Sequence, residues 1–394
     1  MSDSGRQQHL LLQIICLTLG RWLLNSSLRF VYPFLPAIAR GLGPTVSYTS
    51  LVQLVSWRNL TGLASPFLGI FLDHYPRRHA MLLALTLFAL SSFALLIWPT
   101  YAGIALAMLT VALAKALYDP AIQAYLGDQI PYAQRGRFLG ITELGWALAL
   151  LIGAPLAGWL LARYHWSTPF LVYGALAIPV AIGIYLLIPP TPPASQRQLP
   201  SFHLLRRYPA TFFAFIYIFL IMGSIDLLFI AYGPWMESAF QLDITRLGLT
   251  AGLIGGSELL GELIVINWID RWGKRPVVIT AALLNATSYL LLPYLSYNFW
   301  GALLLLALIF CTFEITAVGG LPLMTEIAPP ARGFVLTLLL AAISLGRAVG
   351  AALGAWLWQQ FGLTGVAFVA SAAMFLAVTI LTLTIKEATD DYQH

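Results

Sequence analysis

The stretch DHYPRR at residues 73–78 returns about 197 positions later as DRWGKR at residues 270–275. A second segment repeats at nearly the same offset, because DQIP at residues 128–131 corresponds to EIAP at residues 326–329. Each of these segments lies between two long apolar runs. Self-similarity at one fixed offset indicates a duplicated unit. The sequence therefore predicts two related halves, joined across residues 189–209, where several prolines interrupt the apolar pattern.

The composition is that of a membrane protein. Hydrophobic residues make up 59% of the 394-residue chain and charged residues only 9%, whereas charged residues are about a quarter of an ordinary soluble domain. A helix needs roughly 20 apolar residues to cross the bilayer. Runs of that length predict an all-α polytopic membrane protein with twelve transmembrane helices, at residues 10–36, 47–72, 80–99, 101–126, 138–161, 167–188, 211–236, 247–269, 277–295, 299–325, 334–358 and 364–385.

The basic residues predict the orientation of the chain. We expect an N-terminal six-helix bundle over residues 1–188, a cytoplasmic linker over 189–209 and a C-terminal six-helix bundle over 210–394. One side of the predicted membrane carries thirteen Lys and Arg residues and the other side three. Because cytoplasmic loops are enriched in these residues, we expect both termini in the cytoplasm and the protein in the cell membrane. The basic residues are scattered over short turns, which argues against a nucleic-acid partner.

Eleven ionisable residues lie inside the predicted spans, and every third span has none. A charge in hydrocarbon costs at least ~2.5–3.5 kcal/mol, so these groups are expected to face partners or a water-filled space. They are Arg21, Arg29, Arg58, Lys115, Asp119, Glu143, Asp226, Glu258, Glu262, Glu314 and Arg347.

The two repeated segments resemble the signature loop of the major facilitator superfamily, GxxxDRxGRR/K. The first copy contains Gly69, Asp73, Arg77 and Arg78, with His and Pro at residues 74 and 76 in place of the Arg and Gly. The second copy, at residues 270–275, keeps the loop better but has Ile where the leading Gly would stand. The resemblance covers nearly the whole chain and is closest to the drug:proton antiporter-like group with twelve helices.

The resemblance implies a fold of two pseudo-symmetric six-helix bundles. In that fold helices one, four, seven and ten line a central cavity, and helices three, six, nine and twelve face lipid. The resemblance also implies that ion pairs near the cytoplasmic surface close an inner gate, with loop anchoring as the alternative role. The matching residues are Asp73, Arg77, Arg78, Asp128, Arg135, Asp270, Arg271, Lys274, Arg275, Glu326 and Arg332.

A further resemblance concerns the fifth span, where antiporters of the family carry Gly-rich packing with a Gly-Pro pair. Here Gly145, Gly153, Pro155 and Gly158 match in part, since an Ala separates the Gly from the Pro. Small residues at such spacing also allow ordinary close packing of helices, as we expect in the eleventh span. Both interpretations remain open at this point.

Three charged or polar side chains form one stripe on the first span, because Arg21, Asn25 and Arg29 are spaced by four. The repeat offset relates Arg29 to Asp226. We hypothesise that these two residues pair in one access state and separate in another; the alternative is a permanent ion pair.

Several carboxylates are candidates for proton coupling. Glu258 and Glu262 lie one helical turn apart, and two carboxylates that close repel each other when both are ionised, which favours protonation. Asp226 and Glu314 join them as candidates. Lys115 and Asp119 are also one turn apart, and they are expected either to neutralise each other or to take part in coupling.

Four aromatic residues share helices with the buried charges and are candidates for stacking on a substrate: Tyr32, Trp57, Tyr118 and Tyr232. The alternative is packing or anchoring at the membrane interface. The two cysteines, Cys16 and Cys311, both lie inside predicted spans and predict neither a disulfide nor a metal site.

The sequence as a whole predicts a monomeric secondary active transporter that works by alternating access. We expect proton-coupled export of a small organic or amphipathic compound. The alternatives are proton-coupled uptake or facilitated transport of an anionic or zwitterionic solute, and lipid flipping. No nucleotide-binding or hydrolase motif occurs, so we expect no enzyme activity, cofactor or metal; the expected partners are a small-molecule substrate, protons and the lipid bilayer.

Overall fold

A computed structural model describes residues 3–64, 75–130, 132–190, 208–328 and 332–384. Side chains are not described for residues 3–7, 132–137, 139 and 332–334. Throughout these ranges the regular structure is helical. The helices are α1 Asp3–Arg29, α2 Val31–Leu42, α3 Tyr48–Leu60, α4 Arg77–Ile97, α5 Tyr101–Gln129, α6 Tyr132–Leu148, α7 Ala154–Arg163, α8 Thr168–Leu187, α9 Ala210–Phe240, α10 Ile244–Trp272, α11 Lys274–Leu295, α12 Phe299–Thr325 and α13 Arg332–Thr384.

Ten helical stretches in the described ranges are long and apolar enough to cross a membrane. The second predicted span is not among them, because α3 ends in a 3₁₀ turn, Thr61–Ala64, and the rest of that run lies at residues 65–74, outside the described ranges. The last two predicted spans form one helical run, which Gly362 divides with a non-helical backbone at φ 60° and ψ −152°. The chain is thus a multi-span helical protein, and the number twelve stays a prediction.

The first predicted span is not one continuous helix. Its hydrogen-bonded ladder is interrupted at Phe30, between α1 and α2. Pro33 explains the interruption, because a proline has no N–H to donate to the carbonyl four residues earlier, which here is that of Arg29.

The fifth predicted span is also interrupted, by a π-helical turn at Ala149–Gly153 between α6 and α7. Pro155 lies two residues after this turn and has no N–H for the Leu151 carbonyl. Wide turns of this kind leave backbone carbonyls without their helical partners. Two carbonyls at this break also accept from side chains, because Trp22 Nε1 donates to Leu148 O at 3.0 Å and Tyr173 Oη donates to Gly153 O at 2.6 Å.

The described residues divide into two compact units. The first comprises Met1–Leu54, Ala64–Gln198 and Leu242–Gly255, and the second comprises Val55–Leu63, Leu199–Gln241 and Gly256–His394. In the first unit α1 packs on α5, α6 and α8, and α4 packs on α5 and α8. In the second unit α9 packs on α12 and α13, and α11 packs on α12 and α13. The division into bundles at 1–188 and 210–394 stays a prediction.

The repeat is visible in how equivalent helices begin. Thr100 caps α5 by accepting a hydrogen bond from Gly103 N at 3.3 Å. Asn298 caps α12 in the same way, accepting from Gly301 N at 2.7 Å. Both residues have the extended backbone of an N-cap and satisfy one of the amides that a helix start leaves unpaired. The two starting points are about 198 residues apart, which matches the sequence repeat.

Candidate functional site

A charged network joins three membrane-spanning helices of the first unit. Arg21 of α1 lies between two carboxylates: its Nη1 is 2.6 Å from Glu143 Oε1 of α6, and its Nε is 3.3 Å from Asp119 Oδ1 of α5. Lys115 Nζ donates a hydrogen bond to Asp119 Oδ2, one turn away on the same helix. The predicted local pairing of Lys115 with Asp119 is therefore confirmed, and Arg21 extends it. Two positive and two negative charges balance within this network.

One end of the network is accessible. The Glu143 side chain is 42% exposed, while the Arg21 side chain that contacts it is 8% exposed. An ionised carboxylate inside a span cannot face acyl chains at small cost. Glu143 is therefore expected to face water or a polar group, and Arg21 connects it to the buried charges behind it.

Arg29, two turns further along α1, contacts a different group. Its Nη1 donates to Trp146 O of α6 at 2.9 Å, and its guanidinium carbon lies 4.0 Å above the Trp146 ring centroid. Lys115 Nζ is 5.8 Å from the centroid of the same ring. A cation over an indole face is attracted by the ring quadrupole. Trp146 thus holds Arg29 by its carbonyl and by its ring, and the predicted Arg29–Asp226 exchange stays a prediction.

In the second unit Asp226 of α9 pairs with Arg347 of α13. Arg347 Nε donates to Asp226 Oδ2 at 2.8 Å, and the Asp226 side chain is fully buried. Small residues bring these helices together here, since an added Cβ at Gly350 would lie 2.4 Å from Gly223 O. Gly346 and Gly354 make similar close approaches, to Phe219 O and Leu227 O. The expected close packing in the eleventh span is confirmed.

The other three carboxylates inside the predicted spans of the second unit are buried. Glu258, Glu262 and Glu314 are 1%, 6% and 7% exposed. Gly261 brings α10 against α12, because its added Cβ would be 2.9 Å from Glu314 Cβ. Glu314 therefore lies beside the turn that carries the two other glutamates. Arg58, 3% exposed, also falls within the second unit.

Two of the repeated signature residues form equivalent ion pairs. Arg77, at the start of α4, has its Nε 3.9 Å from Asp128 Oδ2 at the end of α5. Lys274, at the start of α11, has its Nζ 3.8 Å from Glu326 Oε1 just after α12. The sequence repeat relates Arg77 to Lys274 and Asp128 to Glu326. Each unit therefore contains the same pair at the same helix ends, and its role as a gate stays a prediction.

The neighbouring arginines of the repeat also have equivalent contacts. Arg78 Nη1 lies 3.4 Å from Tyr185 O and 3.3 Å from Ile188 O, at the end of α8. Arg275 Nη2 donates to Thr382 O, at 2.9 Å, near the end of α13. A helix leaves its last carbonyls unpaired, and a cation there also interacts favourably with the helix dipole. These two arginines therefore cap the last helix of each predicted half.

Five further residues were predicted for the gate. Asp73 lies outside the described residues, and the side chains of Arg135 and Arg332 are not described. Asp270 and Arg271 are exposed at the end of α10.

The aromatic candidates divide into two groups. Tyr32, Tyr118 and Tyr232 are 0% exposed, and Tyr118 Oη donates to Leu17 O at 3.2 Å, whereas Trp57 is 64% exposed. In this conformation none of the three tyrosines offers an open ring face, so stacking on a substrate stays a prediction. Sequence reasoning did not select Trp146, although it lies three residues after Glu143 on the same helix, a spacing that places it beside that charge.

The Gly-rich fifth span serves close packing. Added Cβ atoms at Gly153 and Gly158 would lie 2.5 Å from Ser26 Oγ and 2.9 Å from Ile244 O. Gly145 approaches the backbone of α1, 3.2 Å from Trp22 N. These contacts account for the glycines by packing, so antiport draws no support from them.

Comparisons with known proteins match this architecture. The family model described as Major Facilitator Superfamily matches residues 10–255 and 214–393. The chain is 27% identical over 326 residues to "Uncharacterized MFS-type transporter YceJ" of Bacillus subtilis (strain 168), covering 79% of this chain and 82% of that protein. It is 23% identical over 375 residues to "Probable sugar efflux transporter" of Pasteurella multocida (strain Pm70), covering 95% of this chain and 91% of that protein.

Solved structures share the fold at low sequence identity. A D-xylose-proton symporter superposes with a TM-score of 0.77 at 17% identity, covering 96% of this chain and 98% of that one. The nucleoside transporter NupG superposes with a TM-score of 0.73 at 15% identity, covering 95% and 100%. With a family model that matches nearly the whole chain and a multi-span helical structure, the chain belongs to the Major Facilitator Superfamily and is a membrane transporter rather than an enzyme.

Proposed function

We propose that this transporter works by alternating access and exports a small organic compound in exchange for protons. The observation that carries the proposal is the network of Arg21, Lys115, Asp119 and Glu143, which lies within spans and has its exposed end at Glu143. A passive anchor has no need of such groups, because intramembrane charges are costly and typically mark solute and ion pathways.

Protonation offers a switch within this network. While Glu143 is ionised, Arg21 is shared between two carboxylates. A proton on Glu143 removes one negative charge, so that Arg21 is left to pair with Asp119 alone. The Arg347–Asp226 pair gives the second unit an equivalent switch, with Glu258, Glu262 and Glu314 as further acceptors. A transporter can thereby couple proton binding to a change in the contacts between its helices.

The relatives support a small organic solute and export. The curated relative from Pasteurella multocida, which aligns over 95% of this chain, is named a probable sugar efflux transporter. The D-xylose-proton symporter has the same fold and is named for proton coupling. We further propose that the protein acts as a monomer in the cell membrane with both termini in the cytoplasm, and that Arg77–Asp128 and Lys274–Glu326 help to close the cytoplasmic side.

Reconstituted protein tests the proposal. Proteoliposomes loaded with a pH-sensitive dye would receive candidate solutes from outside, and solute uptake would be followed in parallel with radiolabel. In exchange transport, solute entry drives protons out, so the lumen becomes alkaline. The variant Glu143→Gln is expected to abolish this pH change. The matched control is Asp243→Asn, since Asp243 pairs only with exposed Arg246 among the ion pairs found and is itself 60% exposed.

Four results would contradict the proposal. Acidification of the lumen on solute entry would show symport instead of exchange. Solute uptake without any pH change in the lumen would exclude proton coupling. Absence of radiolabel uptake for every solute would exclude transport under these conditions. An unchanged pH response in Glu143→Gln would remove Glu143 from the coupling path.

A further inference from the structure

One turn of α1 buries polar atoms that have no hydrogen-bond partner. Asn25 and Ser26 are 0% exposed and Ser27 is 1% exposed. Within the described residues, both amide atoms of Asn25 and both serine hydroxyl oxygens lack a partner. Buried polar groups are nearly always paired, and one left unpaired destabilises the fold. Four such atoms in three consecutive residues require an explanation.

Other polar side chains of the spans show how buried donors are usually hydrogen-bonded. Thr18 donates to Ile14 O at 2.8 Å, as helical hydroxyls commonly do. Asn285 of α11 is also fully buried, and its Nδ2 donates to Ile309 O at 2.7 Å and to Thr312 Oγ1 at 3.0 Å, although its Oδ1 has no partner among the described residues. The Asn25–Ser27 turn makes neither kind of contact, although it occupies a comparably buried position.

The turn lies in the midst of the charged groups already described. Asn25 is four residues from Arg21 and four from Arg29, so the three share one helix face. Arg21 pairs with carboxylates of α5 and α6, and Arg29 lies over Trp146 of α6. The same face of α1 is therefore directed at α5 and α6, and Asn25 is the uncharged position between two charged ones.

The charges of the network on one side of Asn25 are matched with one another, and Arg29 on its other side contacts the carbonyl and the ring of Trp146. Arg21 and Lys115 balance Asp119 and Glu143. This network has no net charge to offer an ionic solute, whereas the turn has both donors and acceptors to offer. A hydroxyl group can donate to Asn25 Oδ1 or accept from Asn25 Nδ2. A carboxylate can only accept and an ammonium group can only donate.

We propose that Asn25 is a binding subsite for an uncharged, multiply hydroxylated solute and a specificity-determining residue. This inference rests on the proposed transport function and narrows its substrate class. The turn is closed to solvent in this conformation, so the solute engages it when the access state changes. The unpaired amide is then a stability cost that the solute relieves.

Thermal unfolding of the purified full-length protein tests this proposal. The probes are D-xylose, D-glucose and myo-inositol as neutral polyols, lactate and benzoate as anions, and tetraphenylphosphonium as a lipophilic cation. At least one polyol is expected to raise the Tm. Asn25→Leu removes the unpaired amide and is expected to raise the Tm of the free protein, while weakening polyol binding by about tenfold or more.

Asn285→Leu is the matched control, because it removes an equally buried amide that has two acceptors. We expect it to lower the Tm and to leave polyol affinity unchanged. Asn25→Ser keeps a hydroxyl of smaller size and is expected to retain part of the affinity, which keeps the test valid if the leucine variant folds poorly.

Three results would overturn the inference: a fall in Tm in Asn25→Leu as large as in Asn285→Leu, unchanged polyol affinity in both Asn25 variants, or stabilisation only by anions or by the cation. Stabilisation only by anions or by the cation would leave the proposed transport function intact and would change the proposed substrate class. Failure of the proposed function would look different, since it would abolish counterflow for every solute that binds.

Discussion

Arg21 is the residue on which the first unit's charges converge. It contacts Glu143 and Asp119 at once, and its own side chain is 8% exposed. A cation so placed cannot be removed without leaving a carboxylate of the network poorly compensated. Lys115 stays beside Asp119, so Glu143 is the group that loses its partner.

The variant Arg21→Met should therefore destabilise the protein by about 3 kcal/mol, the lower end for a broken buried pair, because Glu143 keeps partial access to water. The measurement is the thermal unfolding midpoint in detergent, at neutral pH. Arg246→Met is the matched control: Arg246 and Asp243 are 72% and 60% exposed, and such pairs contribute under about 1 kcal/mol. Equal unfolding midpoints for Arg21→Met and Arg246→Met would show that the contacts of Arg21 do not stabilise the protein.

The sequence predicted the charged residues well and their partners only in part. Lys115 and Asp119 were paired from their spacing alone, since residues four apart on a helix are neighbours. The Arg347–Asp226 pair was not predicted, because the two residues are 121 positions apart and their contact depends on the register of α9 against α13. Sequence periodicity determines which face of a helix is polar but not which residue of another helix lies opposite.

At the scale of elements, close helix packing brings α9 and α13 together. Gly346, Gly350 and Gly354 lie at successive turns against the backbone of α9. Small residues permit such approaches, and van der Waals contact then holds the helices in the membrane. The Asp226–Arg347 pair is made on this same surface.

Gly350→Ala should disrupt that surface, since its Cβ would meet Gly223 O at 2.4 Å and Gly223 Cα at 2.9 Å. Backbone atoms cannot move aside as a side chain can, so we expect a loss of about 1–3 kcal/mol, seen as a lower unfolding midpoint. Gly127→Ala, in α5, has nothing within 4 Å of its added Cβ and should be neutral or stabilising by up to about 1 kcal/mol. The packing account fails if both variants have the midpoint of the unmodified protein.

Helix positions were largely predictable from apolar length, and helix interruptions were not. The breaks at Phe30 and at Ala149–Gly153 fall inside runs that look continuous by hydropathy. Pro33 and Pro155 were the available signals, because each removes a backbone donor. A proline alone does not tell whether a span kinks, widens or stops; that depends also on tertiary contacts at the break, such as the hydrogen bonds from Trp22 and Tyr173.

At the scale of the whole molecule, the sequence repeat corresponds to repeated contacts. Arg77–Asp128 and Lys274–Glu326 are equivalent ion pairs, and the arginines that follow Arg77 and Lys274 cap the ends of α8 and α13. The sequence predicted that two halves repeat and that these residues act together. It did not predict the helix-capping role, since the distance from each arginine to a helix end depends on the tertiary fold.

The central claim is that charged groups inside the spans face water that is reached from each side of the membrane in turn. The variant Glu143→Cys, made in a protein whose Cys16 and Cys311 are replaced by alanine, has a single cysteine. Its accessibility can be measured with a membrane-impermeant thiol reagent in sealed vesicles of either orientation. Arg21 should favour the reactive thiolate. We predict labelling in both orientations, with a transported solute raising the rate on one side and lowering it on the other. A thiol that resists the reagent from both sides, or labelling rates that no transported solute changes, would contradict the account.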